Sequence, residues 1–154
     1  MSDVRFKLQS ENAKQKFIRL LKNVDDMSPV FKLFIEEYKE IVAANFESRG
    51  RIMERAKWAN YTPAYFDWKK HSKFASMQML ELTGALKEAA INFKSNIGQK
   101  SLVMSVDGAD YFYFVQERHK NPRHYFNTPD DDLPLPAWKI LIKLAEDHIT
   151  EGVE

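Results

Sequence analysis

The sequence predicts a single α+β domain in which three to four helices pack on a small antiparallel sheet. Two patterns carry this prediction: apolar residues recur at three- and four-residue intervals in long segments, and they alternate with polar residues in short ones. The length of 154 residues is typical of one domain. With 44% hydrophobic residues, 11 of them Phe, the chain can also form a core without disulfides.

The first predicted elements are a short strand and a helix. Val4, Phe6 and Leu8 alternate with polar residues, which is typical of a half-buried strand. Ser10 can then cap a helix that is apolar on one face and therefore expected to pack on the core. The residues of this face are Ala13, Phe17, Leu20, Leu21 and Val24.

The strongest helical pattern covers about residues 28–49 and predicts a long central helix. Ser28 and Pro29 favour a helix start, because a capping hydroxyl precedes a proline at the first helical position. Gly50 is a natural stop. The apolar residues at helical spacing are Val30, Phe31, Phe34, Ile35, Tyr38, Ile41, Val42 and Phe46.

Residues 50–77 show no sustained period and are predicted to form a long basic and aromatic loop. A connection of this length is uncommon within a compact domain and is usually functional or mobile. We favour a loop whose aromatic side chains fill the core or a subunit interface while its lysines stay solvated. The alternative is a surface that binds single-stranded nucleic acid by base stacking and phosphate contacts. The aromatic residues are Trp58, Tyr61, Tyr65, Phe66, Trp68 and Phe74.

Three further elements are predicted toward the carboxyl end. Residues 79–93 have helical spacing, and Gly84 inside them implies close packing that offsets a cost of about 1 kcal/mol. Asp107-Gly108 joins the β-prone runs 102–106 and 111–116, which favours a hairpin, with a short helical turn as the alternative for the second run. The last helix is predicted over about 136–151, and its packed residues are Ala137, Trp138, Leu141, Ile142, Leu144, Ala145 and Ile149.

Charge is balanced overall but uneven along the chain. The net charge is +1, from 23 basic and 22 acidic side chains. Residues 49–73 hold seven Lys or Arg against two acids, a net of +5, and residues 130–154 hold seven acids against two lysines, a net of −5. The two segments are either separate solvated surfaces or the two sides of a contact between copies.

Several function classes are excluded or disfavoured by the residues present. Without cysteine there is no disulfide, thiolate zinc site or cysteine nucleophile. No apolar run approaches the ~20 residues that span a bilayer, and the first nine residues lack the apolar stretch of a secretory signal. We therefore expect a soluble, non-exported protein.

No residue constellation indicates catalysis. The histidines His71, His119, His124 and His148 lack the helical spacing of a metal site. The acidic run 130–132 could hold a hard cation, but its place before a helix favours negative charge without any ion. No serine lies in a nucleophile turn and no glycine loop suits phosphate. We expect no catalytic residue, no metal and no cofactor.

A metal-dependent nuclease is the least favoured hypothesis. Pro129-Asp130 and Asp67-Trp68-Lys69 superficially resemble the proline–aspartate and acid-x-lysine elements of such enzymes. Here the two elements occur in reversed order, and Asp67 lies in a segment without strand periodicity.

Read as one string, residues 50–126 resemble the phage virion morphogenesis family, the Mu-like tail-completion proteins, which are similar to phage neck proteins. The family order is glycine, tryptophan with threonine and lysine, a leucine–threonine–glycine–x–leucine helix, tyrosine before histidine–glutamine, then proline, arginine and phenylalanine. Val115 replaces the usual histidine and Arg118 an expected glycine. The matching residues are Gly50, Trp58, Thr62, Lys69, Lys70, Leu82, Thr83, Gly84, Leu86, Tyr111, Gln116, Pro122, Arg123 and Phe126.

The resemblance implies a non-enzymatic structural protein of a phage or prophage virion that acts in tail completion or head–tail joining, as an oligomeric ring. Its implied partners are further copies of itself, other tail or neck proteins, and DNA contacted without sequence preference in the channel, with no membrane. Its implied location is the virion, and the bacterial cytoplasm during assembly. The candidate assembly residues are Trp58, Tyr65, Trp68, Lys69, Lys70, Arg118, Arg123 and Phe126, and those of the packing motif are Leu82, Thr83, Gly84 and Leu86.

Overall fold

The computed structural model describes residues 11–54, 57–73, 75–76, 84–108, 123–129 and 132–153. These ranges form six helices and a two-stranded antiparallel sheet, which confirms the predicted α+β fold. The strand predicted at 4–8 and the β-prone run 111–116 lie outside the described residues. The elements are α1 (Glu11–Asp25), α2 (Ser28–Glu47), α3 (Arg51–Glu54), α4 (Pro63–Lys70), α5 (Ala85–Ile91), β1 (Lys94–Ile97), β2 (Leu102–Ser105) and α6 (Leu135–Thr150).

The central helix is α2, as predicted, and nearly all of its apolar face is buried. Its fully enclosed residues include Phe34, Tyr38 and Phe46. Helix α6 packs along α2 in the antiparallel direction, because its start lies beside α3 and its last turn contacts Asp26, just before α2. Helix α5 covers a further side of α2 through Leu86 and Ala90. The core therefore runs along the whole length of α2.

The sheet is a hairpin that the sequence patterns did not predict. Strand β2 pairs with β1, with Lys94 opposite Ser105 and Ile97 opposite Leu102. Residues 94–96 are polar and exposed, so β1 has no alternation that would indicate a strand. The predicted partner of β2, residues 111–116, lies outside the described residues, so the hairpin at Asp107-Gly108 stays a prediction.

The loop predicted over residues 50–77 is wrong in part, because the segment contains α3 and α4. Thr62 caps α4 by accepting a hydrogen bond from the backbone N of Tyr65 at 3.4 Å, and Pro63 takes the first helical position. This is the start signal that marked α2. At eight residues, α4 is too short for a helical period to stand out among its aromatic side chains.

Gly84 lies before α5 and not inside a helix. It is the N-cap residue with φ of +73°, and a Cβ placed on it would meet no atom within 4 Å. The expected close packing at this glycine is therefore wrong. Its positive φ, which residues with a Cβ rarely adopt, is the reason for glycine at this position.

The molecule has two ends, which lie at opposite ends of α2. The α4 pole consists of residues 49–54, 57–70 and 123–129, gathered around the C-terminal end of α2. The α1 pole consists of α1 and residues 145–153, joined near the N-terminal end of α2. Because α2 has 20 residues, the poles are separated by about 30 Å.

We predict that Gly50→Ala destabilises the protein by about 3 kcal/mol or more. Gly50 has φ of +89°, and a Cβ there would lie 2.2 Å from Nε1 of the enclosed Trp58 ring, so strain and a clash combine. Gly84→Ala is the matched control, since it adds only the strain of positive φ, about 1–2 kcal/mol. Denaturant unfolding measures both. Equal losses would contradict the packing of Trp58 on Gly50.

Candidate functional site

A buried amide at the C-terminal end of α2 joins three parts of the α4 pole. The Asn45 side chain is fully enclosed. Its Nδ2 donates to the carbonyl of His124 at 3.1 Å, and its Oδ1 accepts from the backbone N of Ile52 at 3.2 Å and of Met53 at 3.1 Å. One side chain thus ties α2 to α3 and to residues 123–129, and both ends of the amide have partners.

Trp58 also packs at the C-terminal end of α2, near the Asn45 amide. Only 2% of the residue is exposed, its Nε1 donates to the carbonyl of His124 at 3.3 Å, and its ring meets Phe46 edge-on at 5.6 Å. The absence of a side chain on Gly50 leaves the space that the indole occupies. Gly50 and Trp58, both part of the family resemblance, are therefore in direct contact.

Residues 124–126 are held in turn by α3 and α2. Oε1 of Glu54 accepts from the backbone N of His124 at 2.7 Å and lies 3.0 Å from its ring Nδ1. The Tyr38 hydroxyl donates to the carbonyl of Phe126, and the Phe126 ring packs edge-on against Tyr38 at 5.7 Å. Burial raises the pKa of the Tyr38 phenol, so the hydroxyl keeps its proton and remains a donor.

The exposed part of the α4 pole is a row of aromatic rings with lysines beside it. Tyr61 and Tyr65 lie 4.8 Å apart between ring centroids, and Tyr65 and Trp68 lie 5.3 Å apart. Lys69 is buried, with its Nζ 5.6 Å from the centre of the Tyr61 ring. Trp68 is 50% exposed on the same side of α4 as Tyr65, whereas Phe66 and Lys70, one helical turn apart, are exposed on the other side. We give the name aromatic–lysine face to the exposed residues on both sides of α4 and just after it, which are Tyr65, Phe66, Trp68, Lys70 and Lys73.

The candidate assembly residues divide between core and surface. Trp58 is enclosed and Phe126 packs against the core, so neither forms part of an exposed surface. Arg123 is half-buried, and its Nη2 donates to the carbonyl of Ala59 at 3.5 Å. Tyr65, Trp68 and Lys70 are exposed. Arg118, Leu82 and Thr83 lie outside the described residues, and Leu86 is buried against α2.

The sequence patterns did not single out Asn45, which organises the pole. The one sequence feature that could have pointed to Asn45 is that it is a polar residue beside Phe46, near the end of an otherwise apolar stripe. The pairing of Glu54 with His124 had no such feature, because 70 residues separate them in the chain.

The α1 pole carries both signs of charge. Glu146 and Asp147 are exposed on α6, and Glu151 is exposed just after it. A shallow pocket of about 480 Å³ is lined by Asp147, Thr150, Glu151 and Gly152. Helix α1 brings four basic residues to the same end, and one of them, Arg19, donates to the carbonyl of Gly152 at 2.7 Å. Of the described acids in residues 132–153, Glu146, Asp147 and Glu151 lie at this pole, whereas Asp132 lies at the start of α6.

The remaining candidate chemistry gains no support from the described ranges. In them, no group of three His, Asp or Glu side chains could hold a metal ion. Within the same part of the chain, no helix is long and apolar enough to cross a membrane. Asp67 is exposed on α4, and Asp130, its partner in the nuclease hypothesis, lies outside the described residues.

No family model matches the chain, and neither a curated protein nor a solved structure is significantly similar to it. Function is therefore argued from the site. The site is a buried hydrogen-bond network that fixes residues 123–126 against α2 and α3, beside an exposed aromatic–lysine face.

We predict that Asn45→Ala lowers the free energy of unfolding by about 3 kcal/mol. The change removes the partner of two backbone N–H groups and one of the two donors to the His124 carbonyl, in a region closed to water. Asn60→Ala is the control, because Asn60 is exposed, and its loss should stay within about 0.5 kcal/mol. Hydrogen exchange should also show faster opening of residues 123–126 in Asn45→Ala. Unchanged exchange there would argue against the network.

Proposed function

We propose that the chain is a non-enzymatic structural protein of phage or prophage virion assembly, acting in tail completion or head–tail joining by forming a ring. The observation that carries the proposal is the position of two unlike surfaces at opposite ends of α2. The aromatic–lysine face lies at the α4 pole, and the exposed acids of α6 lie at the α1 pole. A contact between unlike ends of successive copies closes into a ring when the rotation permits.

The aromatic–lysine face has the composition of a protein interface. Tyr65 and Trp68 are rigid amphipathic side chains that gain much from burial, and Lys70 supplies charge at the edge. Tyr61 packs against the core and against the Tyr65 ring, so it holds the first turn of α4 to the core. A neighbouring copy that presents Glu146, Asp147 and Glu151 matches the lysines in sign.

The family resemblance is supported by the way its scattered residues meet. Gly50 contacts Trp58, and Trp58 hydrogen-bonds to the carbonyl of the residue after Arg123. Phe126 is bound by the Tyr38 hydroxyl a few residues further on. Gly50, Trp58 and Phe126, which carry part of the resemblance, therefore belong to one packed unit. In this proposal the partners are further copies, other tail or neck proteins and DNA in the channel, and the protein resides in the virion.

The proposal is tested by deleting the gene from the bacterial strain that carries it and inducing particle formation. We expect filled heads and separate tails by electron microscopy, with joining restored by a plasmid copy of the wild-type gene. A plasmid copy of Asn45→Ala, which loosens the pole, should restore joining poorly. Complete infectious particles from the deletion strain would overturn the proposal.

We predict that Lys70→Glu weakens self-association about tenfold or more, as measured by native mass spectrometry at low salt. Lys70 is used because the buried Lys69 packs on Tyr61, so reversing that charge would disturb the fold. Asp147→Lys in the same chain should restore association, because the charges are then exchanged. Lys32→Glu, an exposed reversal on α2, should not weaken it. High salt should remove the difference between wild type and Lys70→Glu.

Binding of single-stranded nucleic acid is a second candidate function, because the rings of Phe66 and Trp68 are exposed and Lys70 lies one helical turn after Phe66. If it holds, an oligo-dT strand should quench tryptophan fluorescence with an affinity that falls steeply with salt. Trp68→Ala should then weaken binding by about 1–3 kcal/mol. Salt-sensitive binding that leaves the oligomeric state unchanged would favour this function over self-assembly.

A further inference from the structure

Helix α1 exposes the apolar face that was expected to pack on the core. Phe17 and Leu21 are 50% and 51% exposed, and Val24 continues the same stripe one turn later. The described hydrogen bonds that hold α1 against α6 come from its C-terminal half. Arg19 donates to Gly152, and Asn23 donates to His148 and Ile149. These contacts are polar and leave the apolar stripe open.

A complementary groove lies at the other end of the molecule. It has a volume of about 670 Å³ and runs between α3 and the first turns of α6, with Arg51, Ile52, Glu54, Leu133, Leu135 and Trp138 among its lining residues. On α6 the groove continues as an exposed apolar stripe at helical spacing. Leu135 is 58% exposed, Trp138 is partly exposed, and Ile142 is 52% exposed.

We propose that this groove binds the apolar face of α1 from a second copy of the chain. Phe17, Leu21 and Val24 have the i, i+4, i+7 spacing with which an amphipathic helix enters an apolar groove. Leu135, Trp138 and Ile142 present an apolar stripe of the same length. The inference rests on the proposed head-to-tail assembly and names the contact that makes it.

The charges next to the two stripes are complementary. Helix α1 carries Lys14, Lys16, Arg19 and Lys22 against Glu11 and Asp25, a net of +2. Glu54 and Asp132 line the groove together with Arg51, a net of −1. The basic edge of α1 therefore meets an acidic edge of the groove.

The occupant must come from another copy, because α1 cannot reach the groove of its own chain. Its Arg19 and Asn23 are tied to the last turn of α6, whereas the groove is at the first turns. With 16 residues, α6 separates the two places by about 24 Å. The helix and the groove thus lie at opposite poles, as a head-to-tail contact requires.

The test uses two full-length variants, each blocked at one side of the contact. Leu21→Glu places a carboxylate on the α1 face, and Leu135→Glu places one at the groove, where the first turn of α6 tolerates negative charge. Each variant alone should associate at least about tenfold more weakly than wild type in native mass spectrometry. An equal mixture should form a heterodimer and stop there, because such a pair has one intact contact.

Leu33→Glu is the matched control, since Leu33 is an exposed apolar residue of α2 outside both stripes. It should associate like wild type, and circular dichroism should show that all three variants are folded.

A second measurement is disulfide cross-linking, which is possible because the wild-type chain has no cysteine. Leu21→Cys mixed with Leu135→Cys should form a disulfide-linked heterodimer. Leu21→Cys mixed with Leu33→Cys should not.

Wild-type association by Leu21→Glu or Leu135→Glu would overturn the inference, as would the lack of cross-linking up to about 1 mM chain. Binding of anionic vesicles through α1, with Leu135→Glu behaving as wild type, would also overturn it by giving α1 another occupant. If the deletion strain fails to join heads and tails but the association tests show no contact between α1 and the groove, the inference fails and the proposed virion function stands. If the deletion strain makes complete particles but the contact is found, the proposed virion function fails and the inference stands.

Discussion

The Asn45 amide is the interaction on which the arrangement of the α4 pole depends. It is placed by α2, and it fixes both the start of α3 and the backbone of residues 124–125. A buried amide is stable only when its donors and acceptor are all used, so the surrounding backbone has little freedom to move without a large loss. Trp58, which shares the His124 carbonyl with Asn45, is held by the same requirement. The segment that leads from Trp58 into α4 is thereby held in place.

The parts of the fold that could be predicted are those whose cause is local. The central helix followed from a Ser-Pro start and five turns of apolar period, although Ser28 is its first residue and no side chain caps it. Its buried residues other than Asn45 are among those that the period indicated. Helix α4 has the same start signal at Thr62-Pro63, but it is too short to show a period. Strand β1 is set by pairing with β2, because its own residues are polar. Strand β1 therefore forms because of its pairing partner, and the β-propensity of its own residues does not predict it.

The candidate site shows the same division. Trp58 and Trp68 lie in one aromatic segment and look alike in sequence, yet one is enclosed and the other is half-exposed. What separates them is contact with Gly50 and with His124, which is 66 residues away from Trp58. The basic–aromatic character of the segment could be predicted, but the sharing of its residues between core and surface could not. The burial of Lys69 over Tyr61 is a further case, since composition alone places every lysine in solvent.

Amphipathic periodicity predicts that an apolar face is covered, without saying by which partner. In α2 the cover is the rest of the domain, whereas in α1 and the first half of α6 the described residues leave it open. Burying the remaining half of six such side chains is worth about 1 kcal/mol each, and much of that gain offsets the lost freedom of two associating molecules. A single contact of this size is therefore weak. Ring closure reinforces it, because the last contact forms between copies that are already held together.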